Sequence, residues 1–324
     1  MTLEPPGEHG GDGRLVARSL GVEGRAILDL SVSLNPFAPQ VAELAARHLA
    51  DAVGRYPDRL DRARATTALA RALEVEEDRV LLTNGGAEAI ALVAAELGRG
   101  WVEGPEFSLY ARHLGALDPE GPRFRSDPHN PTGRLAASTE QAAVWDEAFY
   151  PLATGRWRAP GRPESVVVGS VTKVLACPGL RLGYVVVPAD GGAALGTPGL
   201  KERLERRQPA WSVWPLALVC LPELLERADV GQWASLVARA RTELVGVLRR
   251  HGYAPLPSDA NFVLVPRAAG LRAALARQRV VVRDCTSFGL ADHVRIAVPD
   301  EAGLERLDRA LAACGDRCPP GEQR

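Results

Sequence analysis

The stretch VVVGSVTKVLACPGLRLGYVVV, residues 166–187, joins two β-branched runs through a short segment carrying a lysine. Of the 39 Lys and Arg residues in the chain, only Lys173 and Lys201 are lysines. Arginine thus serves wherever a positive charge suffices, and a lysine placed directly behind an apolar strand points to amine chemistry. A lysine can form a Schiff base, which an arginine cannot. Scarcity alone does not decide the matter, because an isolated lysine is usually a solvated surface charge.

Outward from this stretch, helical patterns alternate with short β-branched runs from about Val41 to the 210s: LDRARATTALARAL, RVLLTNGG, AEAIALVAAEL, AVWDEAF, SVVVGS and RLGYVVV. Such alternation predicts an α/β fold with a mostly parallel sheet flanked by helices. We expect a large domain over residues 41–224 and a smaller α+β domain over 225–324. The smaller one opens on an amphipathic helix, Trp233–Arg250, with apolar residues at three- and four-residue steps. The runs ANFVLV, RVVVRD and HVRIAV follow as strands, with a helix between the first two and another, EAGLERLDRALAA, after the last. An N-terminal arm over residues 1–40, rich in Gly and Pro, holds the short apolar run AILDLSV and is expected to lie extended and to join the small domain.

Composition narrows the function classes. With 324 residues and 46% hydrophobic content the chain can bury a large core and should be soluble and globular. A net charge of -1, from 39 basic and 40 acidic residues, gives no basic field for nucleic acid or an anionic membrane, so a small-molecule partner is expected. No apolar run approaches the roughly 18 residues that span a bilayer, and the opening MTLEPPGEHGGDG has no apolar signal-peptide core, which makes a cytoplasmic location the expectation. Five scattered cysteines argue against a disulfide framework, and the Cys314/Cys318 pair lacks the second ligand pair of a zinc site, so no metal is expected. The closing CGDRCPPGEQR reads as a frayed tail.

Several motifs carry chemistry only in combination. RVLLTNGGAEAI runs from a strand through Gly85-Gly86 into a helix near Ala87, and open backbone N–H groups at a helix start favour a phosphate. Alone it is an ordinary strand-to-helix turn. DPHNPTG sets Asn130 before a common Pro-Thr-Gly turn. VWDEAF puts Asp146 and Glu147 at a strand end, where the carboxyl edge of a parallel sheet gathers ligands, although a surface acid fits as well. Ser170 and Thr172 flank Lys173, and Arg181 lies beyond a Pro-Gly turn; hydroxyls and a guanidinium fork suit a phosphate.

In this order the set resembles the fold-type I pyridoxal-phosphate (PLP) enzymes. More narrowly, it is similar to the class I/II aminotransferase branch that contains histidinol-phosphate aminotransferase and threonine-phosphate decarboxylase of cobalamin synthesis. The resemblance runs from His9 to about Leu311 through SLNPFAP, RYPD, TNGGAEAI, PEFSLY, NPTG, DEAF, SVTK, PGLRLGY, DANFVLV, VVVRDCTSFG and HVRIAV. It implies that Lys173 holds PLP covalently and then shuttles protons, and that Asp146 pairs with the pyridinium nitrogen. It further implies that Asn130 bonds the phenolic oxygen, that Tyr110 stacks on the ring, and that Gly86, Ala87, Ser170, Thr172 and Arg181 hold the cofactor phosphate. Tyr56 would reach that phosphate from a neighbouring subunit, which implies an active homodimer. Asn35 and Arg295 match positions that bind the substrate carboxylate.

The N-terminal segment EHGGDGRLVARSLGV is similar to that of the decarboxylase group, where a His-Gly-Gly sequence lies near the substrate phosphate, so His9 joins the substrate-binding set. Phe149 agrees, because the histidinol-phosphate enzymes usually carry a tyrosine there. Arg283 would be a second anion fork, for the substrate phosphate. The leading expectation is decarboxylation of L-threonine O-3-phosphate to (R)-1-aminopropan-2-ol phosphate. An aminotransferase acting on a phosphorylated substrate such as histidinol phosphate is the alternative, because PLP weakens whichever Cα bond stands perpendicular to its ring and no motif reports that angle. A catalytically weak PLP-binding regulatory protein is a third reading, which the joint retention of Lys173, Asp146, Asn130 and Arg181 weighs against. The chain departs from the family by short segments between Tyr110 and Asn130 and between Gly133 and Asp146, from which a sheet with fewer strands and a missing helix are expected.

Overall fold

The computed structural model describes residues 3–315, which leaves Cys318 and most of the closing tail outside the described residues. Two compact units emerge. One comprises the chain up to Phe37, Pro128–Leu135 and the chain from Ser235 onward; the other comprises Ala38–Asp127 and Ala136–Ala234. The NPTG turn thus belongs to the same unit as the C-terminal strands.

In chain order the strands are β1 (Leu28–Leu30), β2 (Val80–Asn84), β3 (Arg99–Val102), β4 (Ala116–Leu117), β5 (Arg123–Ser126), β6 (Val144–Asp146), β7 (Val166–Ser170), β8 (Leu182–Val186), β9 (Phe262–Val265), β10 (Val280–Asp284) and β11 (Val294–Ala297). The large unit holds a seven-stranded sheet in the order β2-β8-β7-β6-β5-β3-β4. Every pairing in it is parallel except those of β8, which runs antiparallel to both β2 and β7. All five residues of β7 and all five of β8 are buried, and their Val-rich runs without polar alternation are what a sheet covered on both faces requires. The helix Gly85–Leu97 packs Ala89, Ile90, Val93 and Ala94 into the same core as Val166, Val168 and Val185.

The two shortened segments have different outcomes. The expected loss of strands did not occur between Tyr110 and Asn130: β4, only two residues long, and β5 are both present, and the sheet keeps seven strands. Between Gly133 and Asp146 the helix is absent, as expected. Ion pairs tie this segment to β5, with Glu140 accepting from Arg125 at 2.6 Å and from Arg123 at 2.9 Å.

The smaller unit has a four-stranded sheet in the order β1-β10-β11-β9. The arm's apolar run supplies β1, which lies parallel to β10, while β11 runs antiparallel to β10 and β9. The arm is not extended throughout, since Gly13–Leu20 forms a helix whose Val16 and Ala17 pack on Ala276 and Val281. Leu244 and Leu248 of the helix Val230–Arg250 join Val263, Val265, Val280, Val282 and Ile296 in the main core of this unit.

Candidate active site

In the large unit, the carboxyl end of β2 turns directly into the helix Gly85–Leu97. Its first N–H groups, at Gly85, Gly86 and Ala87, have no partner within the helix by construction, and the helix dipole adds positive potential there. Gly85 has φ +76°, and a Cβ on it would stand 2.5 Å from Nη2 of Arg181. Gly86 would carry its Cβ 3.4 Å from Cβ of Ser170. The turn, Ser170 and Arg181 therefore converge on one spot, with glycine required so that the guanidinium can lie against the backbone. Arg181 is exposed and itself adopts a left-handed φ of +55°. The hydroxyls of Ser170 and Thr172 both donate to the carbonyl of Leu182, at 3.0 and 3.2 Å, and must turn to donate to an anion.

Lys173 follows β7 and is half-buried, its Nζ 6.0 Å from the centroid of the buried Phe149 ring. Asp146 ends β6. Its Oδ1 accepts from the Ala148 N–H at 2.9 Å and its Oδ2 from the Tyr110 hydroxyl at 2.8 Å. Part of its surface remains open, yet it lies deep enough that burial raises its pKa, against the pull of the Ala148 N–H, the Tyr110 hydroxyl and the Lys173 charge. Tyr110 is buried, with its ring edge-on to Phe107 and tilted against Phe124, and burial followed by the Asp146 charge keeps its hydroxyl protonated. The resemblance assigned Tyr110 a stacking role; its hydroxyl bond to Asp146 was not anticipated. Tyr56 is 73% exposed and lies against the 61% exposed Trp211, ring centroids 4.7 Å apart.

A glycine cradle at a helix start with a guanidinium suits a phosphate, a carboxylate backed by two donors suits a ring nitrogen, and a lysine amine suits an aldehyde. The residues present fit PLP.

In the smaller unit, Arg283 and Arg295 are Cα partners on the antiparallel strands β10 and β11, and both are buried. Arg295 donates to Oδ1 of Asn130 at 2.5 Å and lies over the Phe262 ring, 4.6 Å from its centroid. Burial lowers its pKa to about 10, with the Arg283 charge acting the same way. Arg283 donates to the carbonyls of Gly7 and Glu8 and, at 2.8 Å, to Oγ of Ser287. It thereby anchors the segment that carries His9, which is exposed. Asn35 is buried, its Oδ1 accepting from the Phe37 N–H at 3.0 Å. Within this unit the structure brings Asn130 to Arg295 and the residues next to His9 to Arg283.

One contributor escaped the sequence reading. Gly183 sits inside β8 where the backbone of Gly85-Gly86 passes over it. A glycine interrupting a buried β-branched run signals such an approach.

A family model described as aminotransferase class I and II matches residues 126–311, more than half of the chain. The chain belongs to this family. The class I and II motifs NPTG through HVRIAV lie inside the matched span, while SLNPFAP, RYPD, TNGGAEAI and PEFSLY precede it. Over 94% of its length the chain is 30% identical to the threonine-phosphate decarboxylase of Salmonella typhimurium, covering 95% of that protein. It is 31% identical to the histidinol-phosphate aminotransferase of Halobacterium salinarum, covering 94% of each. The histidinol-phosphate aminotransferase of Sinorhizobium meliloti, solved with pyridoxal-5'-phosphate, shares the fold with a TM-score of 0.75 at 19% identity, over 93% of this chain and 94% of that one. Among the described residues no helix is long and apolar enough to cross a membrane.

Proposed function

We propose that the chain is a PLP-dependent enzyme that decarboxylates L-threonine O-3-phosphate to (R)-1-aminopropan-2-ol O-phosphate, in the cytoplasm, as a step of cobalamin biosynthesis. The observation that carries this reading is the pair of buried guanidiniums directly opposite each other on β10 and β11. Two fixed forks suit a substrate with two anionic groups. L-Threonine O-3-phosphate has a carboxylate and a phosphate, whereas histidinol phosphate has only the phosphate. The bond from Arg283 to the backbone beside His9 adds support, since it ties the decarboxylase-like N-terminal segment to the second fork. Phe149 lacks the hydroxyl that an aromatic alcohol would offer a cofactor oxygen there.

When bound, PLP supplies a carbonyl for amines and a ring that takes up the electron pair of a broken Cα bond. The roles of the chain's own residues are those that the family resemblance implies. Gly86, Ala87, Ser170, Thr172 and Arg181 take the cofactor phosphate; Asp146 holds a proton at the ring nitrogen; Asn130 donates to the phenolic oxygen. Lys173 binds the cofactor and then moves a proton at Nζ. Arg295 and Asn35 take the substrate carboxylate, and Arg283 and His9 its phosphate. A substrate held by both anions cannot turn about its Cα, and that orientation selects the bond that breaks.

The runner-up, an aminotransferase for phosphorylated substrates, is favoured by the equal likeness to histidinol-phosphate aminotransferase. The deciding experiment is mass-spectrometric product analysis of PLP-loaded protein given L-threonine O-3-phosphate and no keto acid. Amine phosphate formed over many turnovers supports decarboxylation; unchanged substrate, converted only when 2-oxoglutarate is added, moves the reading to transamination. A homodimer is part of the proposal, motivated by the exposed Tyr56 and Trp211 rings, and a monomeric sedimentation mass at micromolar concentration would remove it.

A further inference from the structure

Behind Asp146 lies a second carboxylate with no role in the roles assigned above. Glu106 is 7% exposed, Ser126 3% and Tyr110 1%, so all three are withdrawn from water. Oγ of Ser126 is bonded to Oε1 of Glu106, and the Ser126 N–H donates to Oε2 of Glu106 at 3.0 Å. The Ser126 hydroxyl also acts on the Tyr110 hydroxyl, opposing the rise in its pKa, and Tyr110 reaches Asp146 at 2.8 Å. Ser126 and Asp146 are Cα partners on the neighbouring strands β5 and β6, so the backbone register holds Ser126 close to the Asp146 end of this chain of oxygens.

Counting protons orders the chain. Three oxygen-to-oxygen contacts need three hydrogens, but Ser126 and Tyr110 own only two. With Glu106 ionised, one contact has none. With Glu106 protonated, every contact is filled in one direction: Glu106 donates to Ser126, Ser126 to Tyr110, and Tyr110 to an ionised Asp146. Linked donors polarise one another, so the complete chain makes Tyr110 a stronger donor than it would be alone.

We infer that Glu106 is a positioning residue which, through Ser126 and Tyr110, fixes the orientation and charge of the Asp146 carboxylate. The inference rests on the proposed role of Asp146 toward a ring nitrogen. Burial raises the pKa of Glu106 to about 7, opposed by the Ser126 hydroxyl and N–H, by Arg125 and by the Phe107 N–H. Arg125 is a cation facing it, 3.7 Å from Oε2 and itself held by Glu140, and Tyr110 is a titratable group against it. The chain is therefore complete below neutral pH and loses its third proton above it. A glutamine at 106 keeps a donor toward Ser126 at every pH.

The test measures affinity for 4'-deoxypyridoxine 5'-phosphate, which lacks the aldehyde and so reports the hold on ring and phosphate without Lys173. Binding is titrated from pH 6 to 8.5 in the wild type, Glu106→Gln, Ser126→Ala and Tyr110→Phe, with thermal unfolding as the check on folding. The wild type is expected to lose affinity relative to Glu106→Gln by about fivefold as pH rises through neutrality, the size of one hydrogen bond. Ser126→Ala, which interrupts the chain without touching Asp146, should lie near the high-pH wild-type value throughout. Superimposable profiles for wild type and Glu106→Gln, in folded proteins, overturn the inference and leave the role of Asp146 standing. Failure of the wild type to bind the analogue at any pH overturns that role and the inference with it.

Discussion

Gly183 on β8 lies so close beneath Gly85 that a Cβ on it would stand 2.3 Å from the carbonyl carbon of Gly85 and 2.5 Å from the nitrogen of Gly86. No rotamer relieves such a contact, because both partners are backbone. Gly183→Ala must lift the start of the helix Gly85–Leu97 off the sheet and away from Ser170. Overpacking of this kind costs about 1–3 kcal/mol. The expected outcome is a folded protein with lowered thermal stability and PLP affinity reduced at least about tenfold, since a shift of 1.4 kcal/mol is a tenfold change. Wild-type affinity in a fluorescence titration of Gly183→Ala would show that the helix start does not hold the phosphate.

A pH dependence of stability follows from Arg162, which bonds both Asp127 and Glu147 at 2.5 Å beneath the sheet's carboxyl edge and stacks on Trp145, 3.7 Å from its ring. One cation faces two buried acids, and burial raises the pKa of Glu147 from its ordinary 4.5 to about 7. Between these values the folded state holds a proton that the unfolded chain releases, so stability falls as pH rises from about 4.5 to 7. Glu106 contributes with the same sign. Thermal midpoints should drop by about 5 °C from pH 5 to pH 7.5, beyond the drift of Glu147→Gln, which lacks this proton. A Glu147→Gln slope equal to wild type would contradict the assignment. Arg162→Ala, which leaves two buried acids without their cation, should cost about 3–5 kcal/mol.

The strands β2, β6, β7 and β8 were legible because buried strands are continuous apolar runs, and Lys173 stood out because lysine is otherwise almost absent; β5 was not, because its RFRS alternates arginine with the buried Phe124 and Ser126. The short β4 was not legible: Ala116–Leu117 is exposed and pairs only at the sheet's edge, which leaves no hydrophobic period to read. Nor was the arm's helix, since Gly13–Leu20 begins in a Gly-rich run and is held by packing of Val16 and Ala17 on distant Val281. The bond from Tyr110 to Asp146 joins residues 36 apart in the chain, with Tyr110 packed on Phe124 of β5 and β5 paired with the strand that Asp146 ends. Propensity and spacing report on local order; contacts set by strand register do not appear in them.

Lys173→Arg keeps the charge near Phe149 and removes the amine. After incubation with PLP and borohydride, wild-type protein should carry a covalent label on the peptide containing Lys173, and the variant should carry none. Turnover should fall by about 10²–10⁴-fold, the usual contribution of a positioned proton carrier. Label found on the Lys201 peptide would reassign the role, and Lys201, paired with Glu205 at 3.0 Å, serves as the internal control.

Arg295 and Arg283 offer a sharper division of labour. Arg295→Lys retains a cation but loses the planar fork, and a lysine as deeply buried opposite Arg283 would tend to shed its proton. If Arg295 takes the carboxylate, kcat/KM should fall by about 30-fold or more for every carboxylate substrate, phosphorylated or not. Arg283→Gln keeps donors toward the Gly7 and Glu8 carbonyls, so the N-terminal segment stays anchored while the charge is lost. If Arg283 takes the phosphate, this variant should narrow the preference for L-threonine O-3-phosphate over L-threonine while leaving activity on L-threonine nearly unchanged. Equal losses on both substrates would instead make Arg283 a brace for the N-terminal segment, and the two-anion site would reduce to the single fork at Arg295.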